Sequence, residues 1–290
     1  MNPKTVISQI SGGLGSFYAL KLAGEEHPDA DHVGVFADVN IEDADTYRTV
    51  WHAIELLAER GGRAHVVNEG LTPFDVYRQV RFIGNSRVDP CSYHLKRKPI
   101  RQWLDRTGLD PEETVIVLGF DWTEEHRLER ARAYWHPWRV DAPLVRDTRQ
   151  KADLLEEHRA RYGYVPELYG HRFPHSNCSG FCCKAGARQF ETLLRIRPRV
   201  YAEAEQHEEG LRADLGDHSF LKRTRGGETR PLSLRELRTE IESRPTLFDY
   251  EDGSCSCFDP VEGVEIPELP ERDPGALADL TRLIGRTFGE

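Results

Sequence analysis

Short apolar runs alternate with longer amphipathic segments through the first half of the chain. The first run, residues 4–10, is rich in β-branched side chains, which is typical of a buried strand. A glycine-containing turn follows, and residues 16–25 then carry Phe17, Leu20 and Leu22 as an apolar helical face. The order strand, turn, helix is the usual beginning of a parallel α/β fold.

The same alternation recurs further along the chain. The pattern predicts strands at 33–37, 63–67 and 114–118, and helices at 46–59 and 124–134. Strands that alternate with helices form a parallel sheet with helices on both faces. We therefore predict a Rossmann-like α/β domain.

Ligands of such sheets bind beyond the carboxyl ends of the strands. The first predicted strand ends at residues 11–16, the second at Asp38 and the fourth at residues 119–121. We expect these three loops to converge on one crevice.

Beyond Asp147 the sequence pattern changes to predicted helices that are rich in charged residues. They are predicted at 151–161, 186–196 and 201–215. Ser233 and Glu236 form a capping box that predicts a helix to about residue 243. The second half is therefore expected to be mostly helical.

Composition narrows the function classes. The chain has 290 residues, 38% of them hydrophobic and 30% charged, and no apolar run approaches the roughly 20 residues that cross a bilayer. Its start does not have the pattern of a signal peptide, so we expect a cytoplasmic protein without a membrane partner. The net charge of −10 argues against a protein that coats nucleic acid through a positively charged surface. Residues 222–227 nevertheless form a local basic segment.

The turn from Ser11 to Ser16 reads Ser-Gly-Gly-Leu-Gly-Ser and lies between a predicted strand and a predicted helix. Backbone N–H groups at such a turn, together with the helix dipole, favour a bound phosphate. The alternative is that the glycines only make a tight connection. The lysine-containing phosphate loop and the Gly-x-Gly-x-x-Gly motif are both absent from the sequence.

The turn, the strand end Phe36-Ala37-Asp38-Val39 and the segment from Cys91 to Pro99 together resemble the PP-loop superfamily, the adenine nucleotide alpha hydrolase-like proteins. The resemblance spans roughly residues 4–135 and is greatest to the phosphoadenosine phosphosulfate reductase-like group of bacterial and phage proteins. It implies ATP or phosphoadenosine phosphosulfate as the ligand. The implied nucleotide contacts are Ser11, Gly12, Gly13, Leu14, Gly15, Ser16, Asp38 and Gly119.

Four residues form the candidate catalytic set, the first of them implied by the resemblance. Asp121 is expected to hold Mg²⁺, with a plain turn aspartate as the alternative. Arg127 and Lys96 are expected to neutralise phosphate charge, unless they are simply solvated. Cys91 is a candidate thiol nucleophile. Gly15 departs from the family pattern, because many ATP-using members carry aspartate there.

Six cysteines in a reducing compartment favour metal ligation or redox chemistry over disulfides. The candidate metal ligands are Cys178, Cys182, Cys183, Cys255 and Cys257. The resemblance favours a [4Fe–4S] cluster, and zinc, a redox thiol pair and a purely structural role remain open.

The sequence thus predicts a nucleotide-binding PP-loop domain at 1–165 and a helical, cysteine-containing region at 166–290. The leading hypothesis is an enzyme that adenylates a substrate and releases pyrophosphate ahead of sulfur or nitrogen transfer. The alternatives are a reductase-like oxidoreductase, although the usual Glu-Cys-Gly-Leu-His tail is absent, and a non-catalytic nucleotide-binding protein. The acceptor is open and includes a nucleic acid or a nucleotide, and a sulfur-donor protein is a conceivable partner.

Overall fold

A computed structural model describes residues 2–85 and 87–243 of the chain. Within these residues, five parallel strands form one sheet in the order β3-β2-β1-β4-β5. The strands are β1 (Thr5–Ile10), β2 (Asp31–Asp38), β3 (Arg63–Asn68), β4 (Thr114–Val117) and β5 (Arg139–Asp141). The predicted α/β fold class is confirmed. The strand order reverses between β1 and β4, which places the ligand crevice of such a sheet between the ends of these two strands.

Helices connect the strands and cover both sheet faces. The bounds in the first half are α1 (Leu14–Glu26), α2 (Ala44–Ala58), α3 (Pro73–Val80), α4 (Pro90–Ser92), a π-helical turn (Tyr93–Arg97), α5 (Lys98–Arg106), a 3₁₀ helix (Trp122–Arg127), α6 (Leu128–Trp135) and α7 (Pro143–Arg146). One sheet face packs on α1 and α2 around Phe17 and Leu56, and the other packs on α5 and α6 around Ile100 and Trp135.

The described part of the second half, up to residue 243, is mostly helical, as predicted. Its elements are α8 (Lys151–Tyr162), α9 (Glu167–Gly170), a 3₁₀ turn (Asn177–Gly180), α10 (Ala187–Ile196), α11 (Pro198–Leu215), β6 (Leu221–Arg225), β7 (Glu228–Leu232) and α12 (Leu234–Ser243). The basic segment at 222–227 lies on the antiparallel β6–β7 hairpin. The Glu236 N–H donates to Ser233 Oγ at 3.1 Å at the start of α12, as the capping box predicts.

The second half completes its core with residues from the first. Phe74 and Tyr77 of α3 share one apolar cluster with Phe181, Phe190 and Tyr201. The ring centroids of Phe74 and Phe181 lie 4.9 Å apart. The helical region is therefore packed directly against α3.

The start of the helix predicted at 124–134 differs from the prediction. The chain first forms a 3₁₀ helix there, with Thr123 in its first turn, and this helix is capped by Asp121. Its carboxylate accepts the Thr123 N–H at 2.8 Å and the Thr123 hydroxyl at 2.6 Å. An aspartate side chain reaches the amide two residues ahead more readily than a threonine hydroxyl does. Over the described residues, no helix is both long enough and apolar enough to span a bilayer.

Candidate nucleotide site and a separate cysteine cavity

A cavity of about 120 Å³ opens where β1 and β4 end. The turn from Ser11 to Ser16 forms one wall, and Gly119, Phe120 and Asp121 form the adjoining wall. This is the crevice that the reversal of strand order predicts. The loops after the first and fourth predicted strands therefore meet, as the sequence indicates.

Hydroxyl groups and a left-handed glycine fix the turn. The Ser11 N–H donates to Ser16 Oγ at 3.0 Å, and the Ser16 hydroxyl donates to the Gly13 carbonyl at 2.9 Å. Gly12 has φ +75°, and a Cβ there would lie 2.3 Å from Thr46 Cγ2. Position 12 therefore excludes larger residues both by conformation and by contact with α2.

The turn touches the loop after β4 through backbone alone. A Cβ on Gly15 would lie 2.7 Å from the Gly119 carbonyl oxygen, and a Cβ on Gly119 would lie 2.5 Å from the Ser16 nitrogen. Neither position has room for a side chain. The aspartate that many PP-loop proteins carry at position 15 is thus sterically incompatible with this packing.

The first turn of α1 points its N–H groups at the cavity. These groups have no partner within the helix, and the turn contains no acidic residue that would compete with an anion. The Leu14 N–H donates to the Tyr169 hydroxyl at 3.3 Å. A neutral phenol oxygen thus occupies one donor of a turn suited to a phosphate oxygen.

Acidic and basic groups follow β4. Asp121 and Glu124 line the cavity, and Arg127 pairs with Glu124 while its guanidinium carbon lies 4.3 Å from the centroid of the Phe120 ring. Arg127 is buried, so the alternative of a simply solvated arginine does not describe it. The structure brings Asp121 and Arg127 together with the phosphate turn.

A further part of the lining comes from residues 144–175, a segment that the sequence analysis did not assign to the site. Arg149 and Lys151 line the cavity there, and Tyr169 closes it from the side of the phosphate turn. Arg149 is paired with Asp147 and Glu157, both at 2.5 Å. The cavity therefore lies between the sheet and the beginning of the helical half.

Asp38 lies outside this cavity. Its Oδ1 accepts the Tyr47 hydroxyl at 2.8 Å and the Asn40 N–H at 3.0 Å, and its Oδ2 accepts the Asn68 amide at 3.4 Å. The three partners hold the carboxylate at the ends of β2 and β3. A polar cluster at this sheet edge is compatible with a nucleoside hydroxyl, but the structure does not join it to the phosphate turn.

Lys96 lies away from the phosphate turn as well. It is buried, and its ammonium group is 3.2 Å from Glu42 Oε1. Glu42 Oε2 accepts the Cys178 N–H at 2.5 Å. Lys96 thus belongs to a second, separate group of residues.

That second group surrounds a small apolar cavity of about 30 Å³, the cysteine cavity. Four thiols line it: Cys91, Cys178, Cys182 and Cys183. Cys91 Sγ lies 4.0 Å from Cys183 Sγ and accepts the Tyr77 hydroxyl at 3.1 Å. Hydrogen bonds to Cys182 and Cys91, together with burial, hold the pKa of the Cys183 thiol well above its usual range.

Buried charges border the cysteine cavity. Asp89 lies 3.3 Å from Arg97 and 3.6 Å from Lys184, and burial raises the pKa of its carboxyl to about 6. The two cations and Lys96 outnumber Asp89 and Glu42, so the group as a whole favours a negatively charged occupant.

The described residues around the cysteine cavity do not form a metal-binding set. Cys255 and Cys257 lie outside the described residues. Among residues 2–85 and 87–243, no three His, Cys, Asp or Glu side chains are placed to hold a metal ion together. A cavity of about 30 Å³ has the volume of roughly one water molecule, so a [4Fe–4S] unit does not fit this arrangement as it stands.

Comparisons with known proteins concern the fold. No protein-family model and no curated protein matches the sequence. The U34-tRNA thiolase NcsA from Methanococcus maripaludis, solved with its [4Fe-4S] cluster, is 16% identical, with a TM-score of 0.40 over 73% of this chain and 73% of its own. NMN synthetase from Francisella tularensis is 14% identical, with a TM-score of 0.29 over 58% of this chain and 64% of its own. The strand order and the helices on both faces of the sheet give this chain the Rossmann-like α/β fold that its sequence predicts.

Proposed function

We propose that the chain is an enzyme that binds ATP, transfers AMP to an oxygen of an acceptor and releases pyrophosphate. The observation that carries the proposal is the single cavity in which the N-terminal turn of α1 faces both carboxylates and cations. At about 120 Å³ it is smaller than the 300–1,000 Å³ of whole-ligand pockets. It suits the phosphate chain, with the adenosine on the rim.

The reaction needs positioning and charge neutralisation. An acceptor oxygen bonds to the α-phosphorus while the bond from that phosphorus to the bridging oxygen breaks, and pyrophosphate leaves with the bonding electrons. Hydrogen bonds from the turn would hold the phosphates in line, and Arg127 would offset charge that develops on the leaving group. Mg²⁺, if bound by Asp121 and Glu124, would add further neutralisation, because hard carboxylate oxygens are its preferred ligands.

The test combines binding with product analysis. Calorimetric titration with Mg²⁺ and ATP is expected to show one site. Incubation with candidate acceptors, nucleotides and nucleic acids among them, is expected to yield pyrophosphate and adenylated acceptor in equal amounts, and AMP is released when a sulfur or nitrogen nucleophile or water then displaces it. ATP that binds without turnover under any acceptor would instead favour a non-catalytic nucleotide-binding protein.

The Asp121→Asn variant distinguishes the proposed role of Asp121 in binding Mg²⁺ from its role as the cap of the 3₁₀ helix. Asparagine caps a helix as well as aspartate does, so the fold should persist. Turnover should fall by at least tenfold while ATP binding is mostly retained, because only the carboxylate charge is lost. Asp110→Asn is the matched control, since Asp110 also accepts the N–H two residues ahead, at 2.9 Å, on an exposed turn.

A redox enzyme similar to phosphoadenosine phosphosulfate reductase is the second candidate, and the cysteine cavity favours it. Cys91 Sγ and Cys183 Sγ lie 4.0 Å apart, so the pair could supply the two electrons of the reduction. One thiol would attack the sulfuryl sulfur and the nucleoside bisphosphate would leave; the second thiol would then displace sulfite as the pair closes to a disulfide, without ATP. Sulfite release with no pyrophosphate from ATP would reverse the ranking.

We also propose that the full chain holds a metal through its cysteines, with Cys178, Cys182, Cys183, Cys255 and Cys257 as the candidate ligands, although the first three do not form a metal-binding set by themselves. Support comes from the convergence of four thiols and from the buried cations beside them. Iron, sulfide and zinc analysis of anaerobically purified protein tests it, with Cys182→Ser and Cys257→Ser as variants. Protein free of all three would refute metal binding.

A further inference from the structure

The cations that line the phosphate cavity differ in how they are held. Arg127 and Arg149 each have a carboxylate partner, Glu124 and Asp147 respectively. Lys151 instead donates to the Pro174 carbonyl. Within the described residues, no carboxylate oxygen lies within 4.0 Å of its ammonium nitrogen. Lys151 is thus the cavity cation whose charge is least compensated.

The position of Lys151 links it to the phosphate turn. Its ammonium nitrogen lies 4.5 Å from the centroid of the Tyr169 ring, and the hydroxyl of the same ring accepts the Leu14 N–H. Lys151 and the first turn of α1 therefore meet at the same tyrosine in the cavity lining. Burial lowers the pKa of the Lys151 ammonium, while the carboxylates of Glu124 and Asp121 raise it.

The glycine turn itself contains no basic residue. A triphosphate brings about four negative charges into the cavity, and backbone N–H groups alone leave most of that charge uncompensated. A compact ammonium group on a long stem is suited to this task, because it contacts phosphate oxygens as a point charge.

We infer that Lys151 is a binding residue for the outer phosphates of a nucleoside triphosphate, and that it makes the cavity select a polyphosphate over a nucleoside monophosphate. The inference rests on the proposed function and deepens it. When the nucleotide binds, a phosphate oxygen takes the place of the Tyr169 hydroxyl at the Leu14 N–H. Lys151 exchanges the neutral Pro174 carbonyl for a charged acceptor.

The experiment measures the dissociation constants of ATP, AMP and inorganic pyrophosphate by calorimetry for the full chain. Lys151→Gln should weaken the binding of ATP and of pyrophosphate by about 10- to 100-fold, the range expected for one hydrogen bond to a charged group. The dissociation constant of AMP should change by less than about twofold, and Lys151→Arg should retain most of the ATP affinity. Lys4→Gln removes the same charge from an exposed pair with Glu113 at the far end of β1 and should bind ATP like the wild type.

Two results would overturn the inference. One is equal weakening of ATP and AMP, since that would indicate a structural role or an α-phosphate contact. The other is unchanged ATP affinity in a folded Lys151→Gln protein. Failure of the proposed function is distinguishable, because a wild type that binds ATP through Lys151 but releases no pyrophosphate with any acceptor refutes adenylation and leaves Lys151 in place. Pyrophosphate release by Lys151→Gln with unchanged ATP affinity does the reverse.

Discussion

Gly119→Ala tests the backbone contact on which the phosphate cavity depends. The new Cβ would lie 2.5 Å from the Ser16 nitrogen and 2.7 Å from the Gly15 carbonyl carbon. All the near atoms are backbone, so no side chain can rotate to relieve the overlap. Ordinary contact begins at 3.4 Å, and the two loops must therefore separate by roughly 0.9 Å.

The separation has two measurable consequences. Overpacking of this kind costs about 1–3 kcal/mol, which lowers the melting temperature by roughly 2–4 °C per kcal/mol in a domain of this size. A hydrogen bond of about 2.9 Å from the turn to a phosphate would lengthen beyond the 3.5 Å at which such bonds are lost. Losing one charge-assisted bond should weaken ATP binding about 10- to 100-fold.

Thermal unfolding and calorimetric titration with ATP measure both effects. Gly210→Ala is the control, because it lies inside α11 with open space around its Cβ position. That change should stabilise the protein by about 0.5–1 kcal/mol and leave ATP binding unchanged. A Gly119→Ala protein with wild-type melting temperature and wild-type ATP affinity would refute the close contact and the role of the turn together.

Two buried groups should give opposite pH dependences of stability. Burial raises the pKa of Glu208 to about 7, although its carboxylate accepts the N–H groups of Phe220 at 2.9 Å and Leu234 at 2.6 Å. Its stabilising contribution is therefore present below the unfolded pKa and lost as the pH rises through 7. Glu208→Gln should cost about 1–3 kcal/mol in urea unfolding, and its deficit should narrow from pH 5 to pH 8; a deficit that widens would contradict the assignment. His158 is fully buried, and within the described residues neither ring nitrogen has a hydrogen-bond partner. Burial lowers its pKa to about 4, so its contribution is present above the unfolded pKa of 6.5 and lost as the pH falls toward 4. His158→Phe should gain about 1–2 kcal/mol relative to the wild type on going from pH 8 to pH 5, and an equal difference at both pH values would show that the ring is not desolvated.

The sheet was predictable because its strands carry strong local signals. Buried β-branched runs such as β1 and β4 need no tertiary information to be recognised. The helix α3 was missed, although Thr72 and Asp75 form a capping box around Pro73. This signal was available in the sequence. The π-helical turn Tyr93–Arg97 has no such local signature, because it arises where the chain packs Leu95 and Arg97 inward together.

The site was only partly predictable, because some of its residues carry local sequence signals and others reach it only through tertiary packing. The turn at Ser11–Ser16 and the loop at Asp121 follow directly from strand ends and parallel topology. Lys151 and Tyr169 reach the cavity through tertiary packing, and their surrounding sequence reads only as a charged helix and a turn. From the sequence, Lys96 is expected to neutralise phosphate charge, whereas the structure pairs it with Glu42 beside the cysteine cavity. The position of Lys96 in the sequence does not show which of these two partners it contacts.

The packing of α3 against the second half also has a consequence during synthesis. Phe74 and Tyr77 find their aromatic partners in Phe181 and Phe220, whose ring centroids lie 4.9 and 5.7 Å away. These partners are translated more than 100 residues later, which takes roughly 5–30 s at cellular elongation rates. Throughout that interval Phe74 and Tyr77 lack these aromatic partners, so we expect the aromatic side of α3 to be open to a chaperone as the protein leaves the ribosome.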